Sequence, residues 1–211
     1  MTPNQETSMK VAVIGAGNVG ATVARNIAEA DVADVVMVDI VEGVPQGKAL
    51  DLSESGAVQD FAVKVTGTND YADIAGASVV VVTAGFPRKP GMSRDDLLTT
   101  NSKVVSSVAA QIKRHAPDAV VIMVTNPLDV MAYVAMKETG FPRERVLGMA
   151  GVLDSARLRF FIAAELGVRP ADVSAMVLGG HGDGMVPLLS HTTVGGVGVT
   201  DLIGKERLAE I

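Results

Sequence analysis

Three stretches of this sequence place residue types where acid–base work on a small anion is feasible. The first is Gly179-Gly-His-Gly-Asp-Gly184. Imidazoles titrate near neutrality, so His181 can take or give a proton under ordinary conditions. The glycines on both sides let other molecules approach it closely, and Asp183 is near in the chain. A polar turn residue is the plain alternative. The second stretch is Asp154-Ser-Ala-Arg157, on a predicted helix over 152–166. Residues three apart share a helix face. The pair can be an ordinary surface ion pair, worth little. Alternatively, Asp154 orients the His181 imidazole and stabilises its charged form, while Arg157 grips a carboxylate through two parallel hydrogen bonds. The third stretch, Thr83-Ala-Gly-Phe-Pro-Arg88-Lys-Pro-Gly-Met-Ser-Arg94-Asp-Asp-Leu97, is punctuated as a loop by glycine and proline. It leaves the carboxyl end of a predicted strand, where α/β sheets place ligands. Arg88 and Arg94 suit an anionic substrate there, or form a solvated basic turn. Of the remaining histidines, His115 reads as a solvated helix end and His191 as a structural residue in a strand-like run.

A fourth motif belongs to a cofactor. Gly15-Ala-Gly17-Asn-Val-Gly20 directly follows an apolar run and opens an amphipathic segment. In that context Gly15 makes a tight turn, Gly17 lets backbone approach a pyrophosphate, and Gly20 allows close helix–strand packing. The helix N-terminus then presents unpaired N–H groups and partial positive charge to the phosphates. Asp39 closes the second apolar run, nineteen residues past Gly20. A carboxylate there accepts hydrogen bonds from the ribose hydroxyls of NAD and repels the 2′-phosphate of NADP. Capping of the following turn is the alternative role.

These residues need a scaffold, and the chain supplies a repeating one. Short aliphatic runs at 11–14, 35–38, 79–82 and 120–124, with a weaker one at 63–65, alternate with helical segments. The runs are nearly continuous in Val and Ile, as in parallel strands covered on both faces. Helices are predicted over 18–30, with Val19, Val23 and Ile27 as an apolar stripe, over 94–114 behind a Ser93/Asp96 capping box, and over 127–139. This alternation predicts a doubly wound α/β sheet. The pattern changes near residue 150. After the 152–166 helix come a strand at 173–178, antiparallel strands within 188–199 joined by Gly195-Gly196, and a helix from Lys205.

Composition narrows the function classes. The 211 residues are 48% hydrophobic but only 3% aromatic, so the core has to be aliphatic. Acidic residues outnumber basic ones 24 to 18, for a net charge of −6, which gives no support for nucleic-acid or anionic-membrane binding. With no cysteine, disulfides, thiol nucleophiles and cysteine metal sites are excluded, and no metal site is expected. The same absence fits a reducing cytoplasm. Residues 1–8 lack the features of a signal peptide and read as a loose tail, and no apolar stretch is long enough to cross a bilayer. A soluble protein is expected.

Taken together, VAVIGAGNVG, TAGFPRKPGMSRDDL, VTNP at 124–127, GVLDSAR and GGHGD resemble the lactate/malate dehydrogenase family, and most its lactate-dehydrogenase-like malate dehydrogenase branch. The likeness spans residues 9 to about 205 with the motifs in the family's order. It implies a Rossmann NAD-binding domain over 9–150, then the first part of an α+β substrate domain over 151–211, since family members continue well beyond Ile211. It further implies NAD as cofactor, contacted by Gly15, Gly17, Asn18, Val19, Gly20, Asp39, Asn101, Val124 and Asn126. His181 is then the general acid/base paired with Asp154. Arg157 binds the carboxylate beside the reacting carbon, and Arg94 polarises the carbonyl. Asn126 hydrogen-bonds the substrate, and Arg88 pairs with the second carboxylate of oxaloacetate. The implied activity is reversible oxidation of (S)-malate, in a homodimer or homotetramer. A lactate or other 2-hydroxy-acid dehydrogenase is the alternative that Arg88 argues against. A catalytically silent NAD-binding module is a further alternative, from another class.

Overall fold

The computed structural model describes residues 9–87 and 90–211, with Arg94 described through its backbone. The expected tail at 1–8 and Arg88 lie outside the described residues. The chain divides into two compact units, one ending at Gly148 and the other running Met149–Ile211.

In the first unit, β1 (Lys10–Ile14) leads into α1 (Asn18–Glu29), then β2 (Asp34–Val38), α2 (Val44–Gln59) and β3 (Val65–Thr68). A 3₁₀ turn at Tyr71–Ile74 precedes β4 (Val79–Val82), followed by α3 (Arg94–His115), β5 (Val120–Met123), α4 (Leu128–Thr139) and β6 (Val146–Gly148). The six strands form one parallel sheet in the order β3-β2-β1-β4-β5-β6. The winding direction reverses between β1 and β4, so the loops after those strands open a crevice at the sheet's carboxyl end. Val13, Val35 and Met37 are fully buried, packed with Ala24 and Ala28 of α1 and Ala49 of α2. Burial of each large side chain contributes about 1.5–3 kcal/mol.

The structure revises several expectations drawn from apolar patterning. The buried face of α1 is Gly20, Ala24 and Ala28; Val23 and Ile27 flank it, and Val19 is exposed. Small residues win that face because the helix lies close to its strand. The third strand is 65–68 rather than 63–65: Val65 is paired with Val35, and backbone pairing continues through Thr66, Gly67 and Thr68 despite their weak apolarity. The helix α2 carries no apolar stripe, burying only Pro45 and Ala49, and sequence patterning does not find it. Short edge strand β6 is likewise unannounced. The long α3 begins at the expected cap, with Ser93 Oγ accepting from the Asp96 N–H at 3.0 Å and Asp96 accepting from the Ser93 N–H at 3.1 Å.

The second unit starts with α5 (Gly151–Leu166), closed by left-handed Gly167. The single strand expected at 173–178 is two, β7 (Val173–Ser174) and β8 (Val177–Leu178). They pair with different partners, β8 with β9 (Val186–Pro187) and β7 with β10 (Thr193–Val194). Strand β10 also pairs with β11 (Val197–Gly198) across the Gly195-Gly196 turn. Short helices α6 (Val199–Leu202) and α7 (Lys205–Glu210) follow. His191 sits exposed in a 3₁₀ turn rather than in a strand. The core of this unit is Ile162, Ala163, Val173, Val194, Val199, Ile203 and Leu208. Among the described residues, no helix is long and apolar enough to cross a membrane.

Candidate active site

The glycine loop of the first unit is built by close contacts. Gly15 adopts φ +101° and donates its N–H to Val38 O at 2.8 Å. A Cβ on Gly20 would stand 1.8 Å from Gly15 O, so any side chain there would force loop and helix apart. Gly17 differs, because a Cβ there meets nothing and its backbone is ordinary extended. Protein packing does not require this glycine, and the open position leaves room for a group to lie against the loop. No side chain caps α1, so the first N–H groups of the helix, on Asn18, Val19 and Gly20, have no partners within it. Gly17 thus adjoins an open cradle beside donors suited to a diphosphate.

Asp39 closes on this loop from the end of β2. Its Oδ2 accepts from the Ala16 N–H at 2.7 Å and its Oδ1 from the Val41 N–H at 3.0 Å. The turn-capping role is therefore real. A carboxylate has about four acceptor sites, however, which leaves capacity for two ribose hydroxyls. Asn69 Nδ2 donates to Asp39 O at 2.7 Å and is itself held by Gln46 at 2.6 Å. Burial pushes the Tyr71 hydroxyl above the usual phenol range, and the Asp39 charge adds to the shift. Sequence patterning misses Asn69, and it also misses Lys48, whose Nζ donates to Ala16 O at 2.5 Å.

The loop after β4 is tied to the same region. Thr83 Oγ1 donates to Gly15 O at 3.0 Å, and Thr125 Oγ1 to Ala84 O at 2.7 Å. Asn101, 1% exposed, donates to Asn126 O at 2.7 Å and Phe86 O at 3.2 Å, and accepts from the Phe86 N–H at 2.8 Å. Its side chain therefore holds two loops in place. Val124 extends the β5 pairing by donating its N–H to Val82 O at 2.9 Å, and the Asn126 side chain is exposed. Arg94 begins α3.

The second unit brings the proton-handling candidates together. Asp154, 7% exposed in the first turn of α5, faces the His181 ring with Oδ2 2.9 Å from Nδ1. The helix N-terminus favours a carboxylate at that place. Arg157, one turn on, approaches the other Asp154 oxygen at 3.5 Å with its side chain 58% exposed. That exposure leaves most of the guanidinium's five donors available. The His181 loop is fixed at its start by Gly179, at φ +92°, where a Cβ would meet Gly184 O at 2.1 Å. Ser155 Oγ accepts from the Val177 N–H at 2.9 Å, which ties the strand leading to His181 to the helix carrying Asp154. That tether spans 22 positions and has no local signature in the sequence. Asp183 is exposed, and His115 is half-buried at the end of α3.

A doubly wound parallel sheet with a glycine loop at its reversal point and an acid at the next strand end defines a dinucleotide-binding α/β protein. Comparison with known proteins makes this specific. Residues 9–148 match the model of the lactate/malate dehydrogenase NAD binding domain, and residues 151–210 that of the alpha/beta C-terminal domain of the same family. The chain belongs to the lactate/malate dehydrogenase family, and the cofactor of its first unit is NAD. A malate dehydrogenase of Trichormus variabilis is 60% identical over 204 residues, covering 95% of this chain and 63% of that protein. The malate dehydrogenase of Picrophilus torridus, solved in its apo form, superposes with a TM-score of 0.92 at 45% identity, covering 96% of this chain and 64% of that one. A Cryptosporidium parvum lactate dehydrogenase complexed with lactic acid and NAD gives 0.88 at 50% identity, covering 95% and 63%. The chain thus spans less than two thirds of the length of these relatives.

Proposed function

We propose that this chain carries the NAD site and the proton-transfer site of a malate dehydrogenase, interconverting (S)-malate and oxaloacetate. The observation that carries this reading is the 2.9 Å contact between His181 Nδ1 and the buried Asp154 carboxylate. NAD, when bound, supplies the hydride acceptor at its nicotinamide ring. Asp154 fixes the imidazole with an Nδ1–H donated to Oδ2, which puts the Nε2 lone pair on the opposite edge of the ring. That lone pair takes the malate hydroxyl proton during oxidation. In the reverse direction the imidazolium returns it, with Asp154 stabilising the charged ring. Arg157 holds the carboxylate next to the reacting carbon in two parallel hydrogen bonds. Arg94 polarises the carbonyl, Asn126 hydrogen-bonds the substrate, and Arg88 pairs with the distal carboxylate. Likeness to the family supports a homodimer or homotetramer, and the lack of cysteine fits the cytoplasm.

The test is His181→Asn, which keeps a polar side chain and removes the titrating group. NADH consumption with oxaloacetate is expected to fall by at least two orders of magnitude, with the dissociation constant for NADH unchanged. Full turnover in that variant would assign the proton to another residue.

A further inference from the structure

The cofactor loop contains a contact that the glycine motif does not account for. Ala16 is held from two sides by ionisable side chains. Its N–H donates to Asp39 at 2.7 Å, and its carbonyl accepts from the Lys48 ammonium at 2.5 Å. Lys48 comes from α2, and the position of that helix is set by tight backbone packing. Its start is pressed against β3 so closely that a Cβ on Gly67 would stand 2.0 Å from Pro45 O. Among the described residues, no carboxylate is in ion-pair contact with Lys48. A half-buried ammonium satisfied by a neutral carbonyl keeps its net charge next to the loop.

Peptide planarity turns this contact into an orienting device. The Ala16–Gly17 bond is trans, so its carbonyl and the Gly17 N–H point in opposite directions. Fixing Ala16 O on Lys48 therefore aims the Gly17 N–H away from α2. That donor belongs to the residue whose Cβ position is open and which precedes the unpaired N–H groups of α1. We propose that Lys48 is a positioning residue for the cofactor diphosphate: it locks the Ala16–Gly17 peptide so that Gly17 N–H donates to phosphate, and its positive charge favours the dianion. Lys48 does not read the adenosine half, which falls to Asp39. The inference rests on the NAD-binding assignment of the first unit.

Calorimetric titration of the whole chain with NADH, ADP-ribose and adenosine separates the possibilities. Lys48→Met keeps the length of the side chain and removes both charge and donor. It is expected to weaken NADH and ADP-ribose about tenfold, the scale of one charge-assisted hydrogen bond. Adenosine affinity and the ligand-free melting temperature should stay at wild-type values, and Lys48→Arg should recover most of the loss. Equal weakening of adenosine, or unaltered NADH affinity in Lys48→Met, overturns the proposal. If Lys48→Met does not fold, Lys48→Gln is titrated with the same three ligands and judged by the same outcomes. Failure of the wild-type chain to bind NADH would overturn the cofactor assignment itself, a result distinct from the failure of Lys48 alone.

Discussion

At the scale of single residues, polar groups are used in pairs. Asp154 divides its two oxygens between His181 and Arg157, and Ala16 divides its peptide groups between Asp39 and Lys48. The Asp154–Arg157 contact, 3.5 Å long with its arginine side chain 58% exposed, contributes little to stability by itself. Under the proposed function, its value is that one buried carboxylate sets the place of both a proton carrier and an anion clamp. Arg88, outside the described residues, is proposed from the family resemblance to choose between substrates. Arg88→Gln is expected to lower kcat/KM for oxaloacetate by roughly 2–5 kcal/mol of transition-state stabilisation, as for a charged pair broken in a desolvated site. Pyruvate should be affected far less. Steady-state rates with both substrates check this, and an unchanged ratio removes Arg88 from the role.

At the scale of elements, tight backbone approaches define the architecture. Gly67→Ala is expected to destabilise the chain by about 1–3 kcal/mol, because the new methyl meets the Pro45 backbone and cannot be relieved by a side-chain rotation. Gly47→Ala on α2 meets nothing and should stabilise by about 0.4–1 kcal/mol. Urea midpoints of the two variants should move in opposite directions; a shared direction would contradict the packing described for α2 and β3. These elements also show what the sequence could reveal. Strands β1, β2 and β4 are buried on both faces and β5 alternates buried with half-buried residues, so each appears as a nearly continuous aliphatic run. Helix α2 buries only a proline and an alanine, leaving no periodic signal. The 173–178 segment reads as one strand because it is mostly apolar and has no Gly or Pro to break it, yet its ends join different sheets. The His181, Asp154 and glycine-loop motifs stand out because local spacing defines them. Ser155 with Val177, and Lys48 with Ala16, are pairings across 22 and 32 positions that only folding creates.

At the scale of the molecule, the candidate site residues divide between the two units. The first carries the glycine loop, Asp39 and Lys48, and the second carries His181, Asp154 and Arg157. The net charge of −6 would repel a dicarboxylate at long range, so under the proposed function substrate capture falls to local arginines and not to the global field. Two matched family domains and the His181–Asp154 contact support the proposed NAD-linked oxidation of a 2-hydroxy dicarboxylate. The most direct measurement follows NADH absorbance in the wild-type chain with oxaloacetate and, separately, with pyruvate. The account predicts rapid loss of NADH with oxaloacetate and much slower loss with pyruvate. Bound NADH that is consumed with neither, or consumed equally fast with both, would contradict it.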